Sequence, residues 1–189
     1  MLVNVLVIAG YGQDLNKIPT HREFVIESYE FGIRMNCKLA FAIGGATNPD
    51  FPERTEADAT LRVISETLRS FPIPMICLGK GDTSADTLQE VKKYLEKYNY
   101  QVDELILASE MARSTGFDMD GLFAGLKEMT KGKRFILHGW RFPETNEEFQ
   151  NQKKKLLLKL LSHRYPLFRW LRYLPQTRHQ RKVAKIKRQ

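Results

Sequence analysis

The sequence has only two cysteines, Cys37 and Cys77, and they form neither a CxxC motif nor a metal-ligand spacing. Both lie at or inside predicted strands, which is typical of reduced thiols in a protein core. No run of 18 apolar residues exists, so the sequence predicts no transmembrane helix. The first segment lacks the basic region and the small-residue cleavage site of a signal peptide. These absences predict a cytoplasmic protein.

Standard catalytic and nucleotide-binding motifs are also missing. Gly10-Tyr11-Gly12 follows the first predicted strand, but the third glycine of a GxGxxG fingerprint is absent. The chain contains no GxxxxGK[ST] phosphate-binding loop, no GxSxG elbow and no HxxxH or HExxH motif. These absences disfavour a standard dinucleotide enzyme, an α/β-hydrolase and a structural zinc site. His138, at the end of the fifth predicted strand, is the one histidine that we expect to be placed for chemistry.

Acidic residues are absent from the last part of the chain. After Glu148 the sequence contains 13 of its 30 Lys and Arg and none of its 22 Asp and Glu. The preceding part is mildly acidic, and this asymmetry predicts an anionic partner for the basic tail. Residues 164–189 would bind nucleic acid or an anionic membrane surface, which leaves a peripheral membrane location open. Alternatively, the aromatic stretch from Tyr165 to Leu174 packs on the domain and only the last residues bind.

Apolar segments with strand character alternate with amphipathic helices in the first part of the chain. This alternation predicts an α/β fold, a Rossmann-like three-layer sandwich around a mostly parallel five-stranded sheet. We expect this domain to cover residues 1–145 and a helical basic extension to cover residues 146–189, with a helix at 146–161. The strand order is not fixed by the sequence. The predicted strands are residues 2–10, 38–43, 74–78, 104–108 and 134–137.

Glycine follows four of the five predicted strands, which right-handed crossovers would bring to one edge of the sheet. Ligands bind outside the carboxyl ends of the strands in such sheets, and glycine lets a ligand approach the backbone closely. The amide groups at the start of the helix after Gly44-Gly45 would also face this ligand. An ordinary strand-to-helix connection explains the same glycines. The candidate ligand-binding glycines are Gly10, Gly12, Gly44 and Gly45.

Polar residues in the first turns of two predicted helices are further candidates. Thr55 and Glu56 begin one helix, with Thr55 and Asp58 in the spacing of a capping box. Asp86 lies at the start of the next helix, and Glu56 and Asp86 would be general acid and base or would hold a divalent cation. Helix capping and dipole compensation explain these residues without a ligand. The ligand contacts predicted beside the two carboxylates are Thr55, Ser84, Thr87, Ser109 and Arg113.

The order of these motifs resembles that of the YdcF/ElyC/SanA-like domain family of unknown function. The resemblance rests on Gly44-Gly45, on Thr55-Glu56-Ala57 and on Ser84-Ala85-Asp86-Thr87, and it covers about Leu2 to Arg113. It implies a Rossmann-like fold with a pocket at the sheet edge for a nucleotide-like or S-adenosylmethionine-like ligand. Some members of that family are tied to envelope biogenesis.

The chain departs from the family pattern at several positions. Ile43 replaces the serine of the glycine turn, Glu90 replaces an asparagine, and the histidine expected between Ser109 and Arg113 is absent. Two functions therefore stay open. One is a protein, catalytic or not, that binds a small anionic or nucleotide-like ligand, with S-adenosylmethionine or a nucleotide as candidate cofactor. The other is a non-catalytic interaction module that acts through its basic tail.

Overall fold

The computed structural model describes residues 1–11, 19–46, 53–68, 70–79, 84–110, 121–143, 145–146, 150, 153–154, 156–158 and 160–161. Strands and helices alternate through these residues, which confirms the predicted α/β class. The elements are β1 (Leu2–Ala9), α1 (Pro19–Arg34), β2 (Leu39–Ile43), α2 (Glu56–Thr67), β3 (Met75–Leu78), α3 (Ser84–Lys97), β4 (Gln101–Glu110), α4 (Gly121–Met129) and β5 (Arg134–Trp140).

The five strands form one sheet in the order β3-β2-β1-β4-β5, and every neighbouring pair is parallel. The chain proceeds outward from β1 to β3 and then crosses back to place β4 on the other side of β1. The strand order therefore reverses between β1 and β4. In open α/β sheets this reversal opens a crevice at the carboxyl ends of the strands, where ligands bind.

Helices cover both faces of the sheet, because its central strands are apolar on both sides. On one face Phe24 and Tyr29 of α1 and Ile64 of α2 form a buried cluster with Ile8 and Ile106 of the sheet. On the other face, residues of α3 and α4 form a second cluster with the alternate side chains of β1 and β4. The result is the predicted three-layer arrangement, with α1 and α2 opposite α3 and α4.

Two strands extend beyond the predicted bounds. β4 runs from Gln101 to Glu110, and β5 continues to Trp140. The prediction stopped where each apolar run stops, but Ser109 and Glu110 are buried polar residues within β4. Pairing with neighbouring strands satisfies the backbone of these residues, so the strand does not end where its apolar character does.

The described residues after β5 attach the C-terminal extension to the domain. Phe142 is fully buried, and the carbonyl of Asn146 accepts a hydrogen bond from the amide of Gln150 (3.1 Å). The described residues between 150 and 161 are all helical, in agreement with the predicted helix. In the described part of the chain, no helix is long and apolar enough to cross a membrane. Residues 164–189, the predicted anion-binding tail, lie outside the described residues.

Candidate functional site

The register of the strands brings five residues to one level at the carboxyl edge of the sheet. All five lie on the face that α1 and α2 cover. Each follows, by two or four residues along its strand, a residue that belongs to the buried cluster on that face or packs against this cluster. This row crosses the point where the strand order reverses. In order across the sheet it consists of Gly79, Gly44, Gly10, Glu110 and Trp140.

The three glycines of this row accommodate the first turn of α2. A Cβ atom on Gly79 would lie 2.5 Å from Oγ1 of Thr55, and one on Gly10 would lie 2.5 Å from Cβ of Glu56. A Cβ on Gly44 would lie 2.8 Å from the same Cβ, and Gly44 also has a φ of +143°. Side chains at these positions would therefore collide with α2. The protein's own residues fill the space beside Gly10 and Gly44, and ligand contact with Gly10, Gly44 or Gly45 stays a prediction.

The amide groups at the start of α2 are all used within the protein. Those of Glu56 and Ala57 donate to the carbonyls of the Gly44-Gly45 pair (3.2 and 3.1 Å). The amide of Asp58 donates to Oγ1 of Thr55 (3.0 Å), and the amide of Thr55 donates to Oδ2 of Asp58 (3.2 Å). This confirms the predicted capping box. The expectation that these amides face a ligand is wrong, because each already has an acceptor.

Glu56 is held above the ends of β1 and β2. Its Oε2 atom lies 3.2 Å and 2.8 Å from the positions of ideal Cβ atoms on Gly10 and Gly44. The two strands meet below it, where the amide of Gly10 donates to the carbonyl of Ile43 (2.7 Å). Glu56 is half-buried, so the structure places this predicted site residue at the edge of the sheet with part of its side chain open to solvent.

Glu110 is a candidate that sequence reasoning missed. It is fully buried at the end of β4, and its backbone amide donates to the hydroxyl oxygen of Tyr11 (2.9 Å). The side chain of Glu56 occupies the space beside Gly10, and neighbouring strands are about 4.8 Å apart. Glu110 therefore lies one strand away from Gly10, beside which the side chain of Glu56 is placed. A carboxylate two residues beyond the apolar run of β4 was the available signal, but its importance depends on the strand register.

The remaining predicted residues lie at the start of α3, at the end of β4 or outside the described part. Asp86 is exposed in the first turn of α3, on the opposite layer from α2, and Thr87 beside it is buried. Ser109 is fully buried, and its hydroxyl donates to the carbonyl of Glu110 (3.1 Å). Ser84 begins α3, but its side chain is outside the described part. Gly12 and Arg113 are outside the described residues altogether.

His21 and Tyr11 support the end of β1 from the side of α1. His21 is buried, its Nδ1 lies 2.6 Å from the carbonyl oxygen of Tyr11, and its ring stacks on Phe142 with centroids 4.5 Å apart. Nε2 lies 3.1 Å from Nδ2 of Asn146. A carbonyl oxygen can only accept, so Nδ1 donates to it, and Nε2 faces the side-chain amide of Asn146. This histidine ties the sheet edge to the C-terminal extension.

The predicted position of His138 at the end of its strand is wrong. β5 continues to Trp140, so His138 lies within the strand and not at its end. Its Nε2 atom is 2.6 Å from Oε2 of Glu27, and its ring stacks on Phe31 with centroids 4.2 Å apart. These contacts place His138 against α1.

Both cysteines are free, as predicted. Burial raises the pKa of the Cys37 thiol to about 12, and the charge of Glu104 adds to this effect. Burial, and to a smaller extent the charge of Asp58, raises the pKa of the Cys77 thiol to about 11. At neutral pH both remain protonated thiols, which are poor nucleophiles. Among the described residues, no group of three or more His, Cys, Asp and Glu side chains is placed to hold a metal ion.

A scan against models of protein families and a search of curated proteins find no match to this chain. The resemblance to the YdcF-like family therefore rests on the motifs alone and stays a prediction. The geometry of the carboxyl edge of the sheet does not depend on this resemblance. The carboxylate of Glu56 lies over the ends of β1 and β2, and the buried Glu110 ends β4, next to the point where the strand order reverses.

Proposed function

We propose that this chain is a YdcF-like, Rossmann-fold protein that binds a small nucleotide-like ligand at the carboxyl edge of its sheet. S-adenosylmethionine is one candidate. The observation that supports this proposal best is the position of Glu56, which three glycines and a capping box hold above the ends of β1 and β2. Fixing a half-buried carboxylate in this way suits a group that must contact a ligand with defined geometry.

The neighbouring carboxylates favour a particular part of such a ligand. Glu56 and Glu110 accept hydrogen bonds, so they suit ribose hydroxyls or the cationic amino and sulfonium groups of S-adenosylmethionine. A phosphate would be repelled there, and Arg113 is the predicted contact for an anionic group. If the protein is an enzyme, Glu56 and Glu110 are better candidates for acid and base than Glu56 and Asp86.

A thermal-shift series tests this proposal. Purified protein would be heated with adenosine, ATP, a nucleotide sugar or S-adenosylmethionine. A ligand at about 100 times its dissociation constant stabilises the folded state by about 2.7 kcal/mol, a shift of a few degrees for a chain of this size. We expect Glu56→Gln to abolish the shift and Glu110→Gln to reduce it.

Glu30→Gln is the matched control, because Glu30 is an exposed glutamate near the C-terminal end of α1. It should retain the full shift. The melting temperature of each variant without ligand separates lost binding from lost folding. A shift that Glu56→Gln retains would contradict the proposed role of this edge.

The charge asymmetry supports a second candidate function. Residues 164–189 are basic and contain no acidic side chain, so we also propose that they bind nucleic acid or an anionic membrane surface. Binding through phosphate contacts should fall steeply with salt concentration. Deletion of residues 176–189 should abolish it. Binding that survives the deletion, or that ignores salt, would contradict this candidate.

A further inference from the structure

Three leucines of the C-terminal helical segment, by which we mean the described residues 150, 153–154, 156–158 and 160–161, are exposed to solvent. Leu157, Leu160 and Leu161 have 57%, 48% and 37% of their surface exposed. Residues three and four apart lie on the same side of a helix, so these leucines form one leucine face. Leu156 and Leu158 are half-buried by contrast, so the greater exposure belongs to this one face.

Lysines accompany the leucine face. Lys153 and Lys154 are exposed one turn earlier in the same segment, and helical spacing places them beside Leu157 and Leu161. A helix that packs on its own domain normally turns its apolar side inward and its charged side outward. Here large apolar side chains and cations are exposed together, which is the composition of a surface that binds a partner.

The combination favours an anionic lipid bilayer as this partner. Helices that lie in a membrane interface insert leucines between the headgroups and place lysines against lipid phosphates. The sequence continues this character, because residues 149–189 contain 13 Lys and Arg and no Asp or Glu. Nucleic acid would use the lysines but leave the leucines in water. We propose that the C-terminal helical segment docks on an anionic bilayer surface with its leucine face in the interface.

The attachment of this segment determines what docking would do. Asn146, whose carbonyl accepts from the amide of Gln150, contacts Nε2 of His21. Nδ1 of His21 contacts the carbonyl of Tyr11 at the end of β1. Docking would therefore hold the carboxyl edge of the sheet close to the bilayer. This inference does not depend on the small-molecule proposal, and it assigns docking to residues other than 164–189.

Vesicle flotation with the full chain tests the inference. Vesicles of phosphatidylcholine mixed with phosphatidylglycerol would be compared with vesicles of phosphatidylcholine alone. We expect binding to the anionic vesicles, weakened at least about tenfold by the double substitution Leu157→Gln and Leu161→Gln. Lys154→Gln should weaken it about fivefold, because one cation near an anionic surface contributes on this scale. Ile33→Gln is the matched control, an exposed apolar residue of α1 (38%), and should bind like the wild type.

Three results would overturn this inference. One is wild-type binding by the leucine variant, and a second is a melting temperature several degrees lower in that variant, which would show that the leucines pack on the domain. The third is binding to RNA without binding to anionic vesicles. If deletion of residues 176–189 abolishes binding while the leucine variant binds normally, the tail candidate is supported and this inference is wrong.

Discussion

Cβ of Glu56 lies 2.5 Å from the position that a Cβ on Gly10 would occupy. Gly10 is thus the residue that allows α2 to approach the end of β1, and the chain uses its missing side chain for an internal contact. The same relationship holds between Gly79 and Thr55, where the corresponding distance to Oγ1 is 2.5 Å. Glycines at the edge of this sheet therefore determine where the first turn of α2 lies, and with it the carboxylate of Glu56.

We predict that Gly10→Ala destabilises the protein by about 1–3 kcal/mol, the usual cost of forcing a methyl group into a packed site. The new methyl would meet Cβ of Glu56 and, at 2.9 Å, the carbonyl oxygen of Ile43. Neither is the far end of a flexible side chain, so relief requires α2 or the backbone to move. Urea denaturation of the variant and the wild type measures the change in the free energy of unfolding.

A double-mutant cycle identifies the cause of this loss. Glu56→Gly removes the Cβ that the methyl group would meet, so Gly10→Ala should cost less in that background. The contact with the carbonyl of Ile43 remains, so a part of the cost should persist. An equal cost in both backgrounds would show that Glu56 does not limit the space beside Gly10.

The sequence was sufficient to predict the class of the fold and several elements because these depend on local patterns. The continuous apolar run of β1 and the strand end at Gly44-Gly45 are each contained within a few residues. The capping box of Thr55 and Asp58 was predictable for the same reason, since both partners lie in one turn. Strand order was not predictable, because the pairing of β1 with both β2 and β4 joins segments that are far apart in the chain.

The candidate site was predictable only in part, because some of its relationships also join segments that are far apart in the chain. Glu56 was found because it follows a helix cap. Glu110 was missed because its relation to Glu56 arises from the register of β1 with β4 and the absent side chain of Gly10. His138 was misplaced because β5 continues past its apolar run, so a local pattern predicted a strand end at the wrong residue.

The stability of the protein should decrease at alkaline pH because of Cys37. Its pKa is raised to about 12 in the folded state, by burial first and then by Glu104. An unfolded cysteine has a pKa of about 8.5, so the folded state binds the proton more tightly. The stabilisation is complete below this unfolded pKa and is lost as the pH rises towards the folded pKa. Each pH unit in this window should cost about 1.4 kcal/mol.

Cys37→Ala provides the comparison for this prediction. The variant lacks the thiol, so its free energy of unfolding should fall less steeply above about pH 9. Urea denaturation at a series of pH values would measure both proteins. Tyr29 also has a raised pKa, caused mainly by burial, but both proteins share its contribution. A constant difference between the two curves would show that Cys37 does not titrate differently in the folded and unfolded states.

The contact between His138 and Glu27, with 2.6 Å between Nε2 and Oε2, should contribute to stability and not to ligand binding. We expect His138→Asn to lower the free energy of unfolding by about 1–2 kcal/mol, since it removes a hydrogen bond to a carboxylate and the stacking on Phe31. Glu27 keeps its ion pair with Arg34 (3.1 Å), which limits the loss. Urea denaturation measures this change.

A cycle with Glu27→Gln separates the pair from its surroundings. Because the two residues touch, we expect their substitutions to be non-additive by about 1 kcal/mol. The ligand-induced thermal shift should stay unchanged in both variants, since His138 lies within β5, where it contacts Glu27 of α1, and neither residue is among those at the sheet edge. If His138→Asn abolishes that shift at unchanged stability, His138 belongs to the ligand site and its assignment to the α1 layer as a structural residue is wrong.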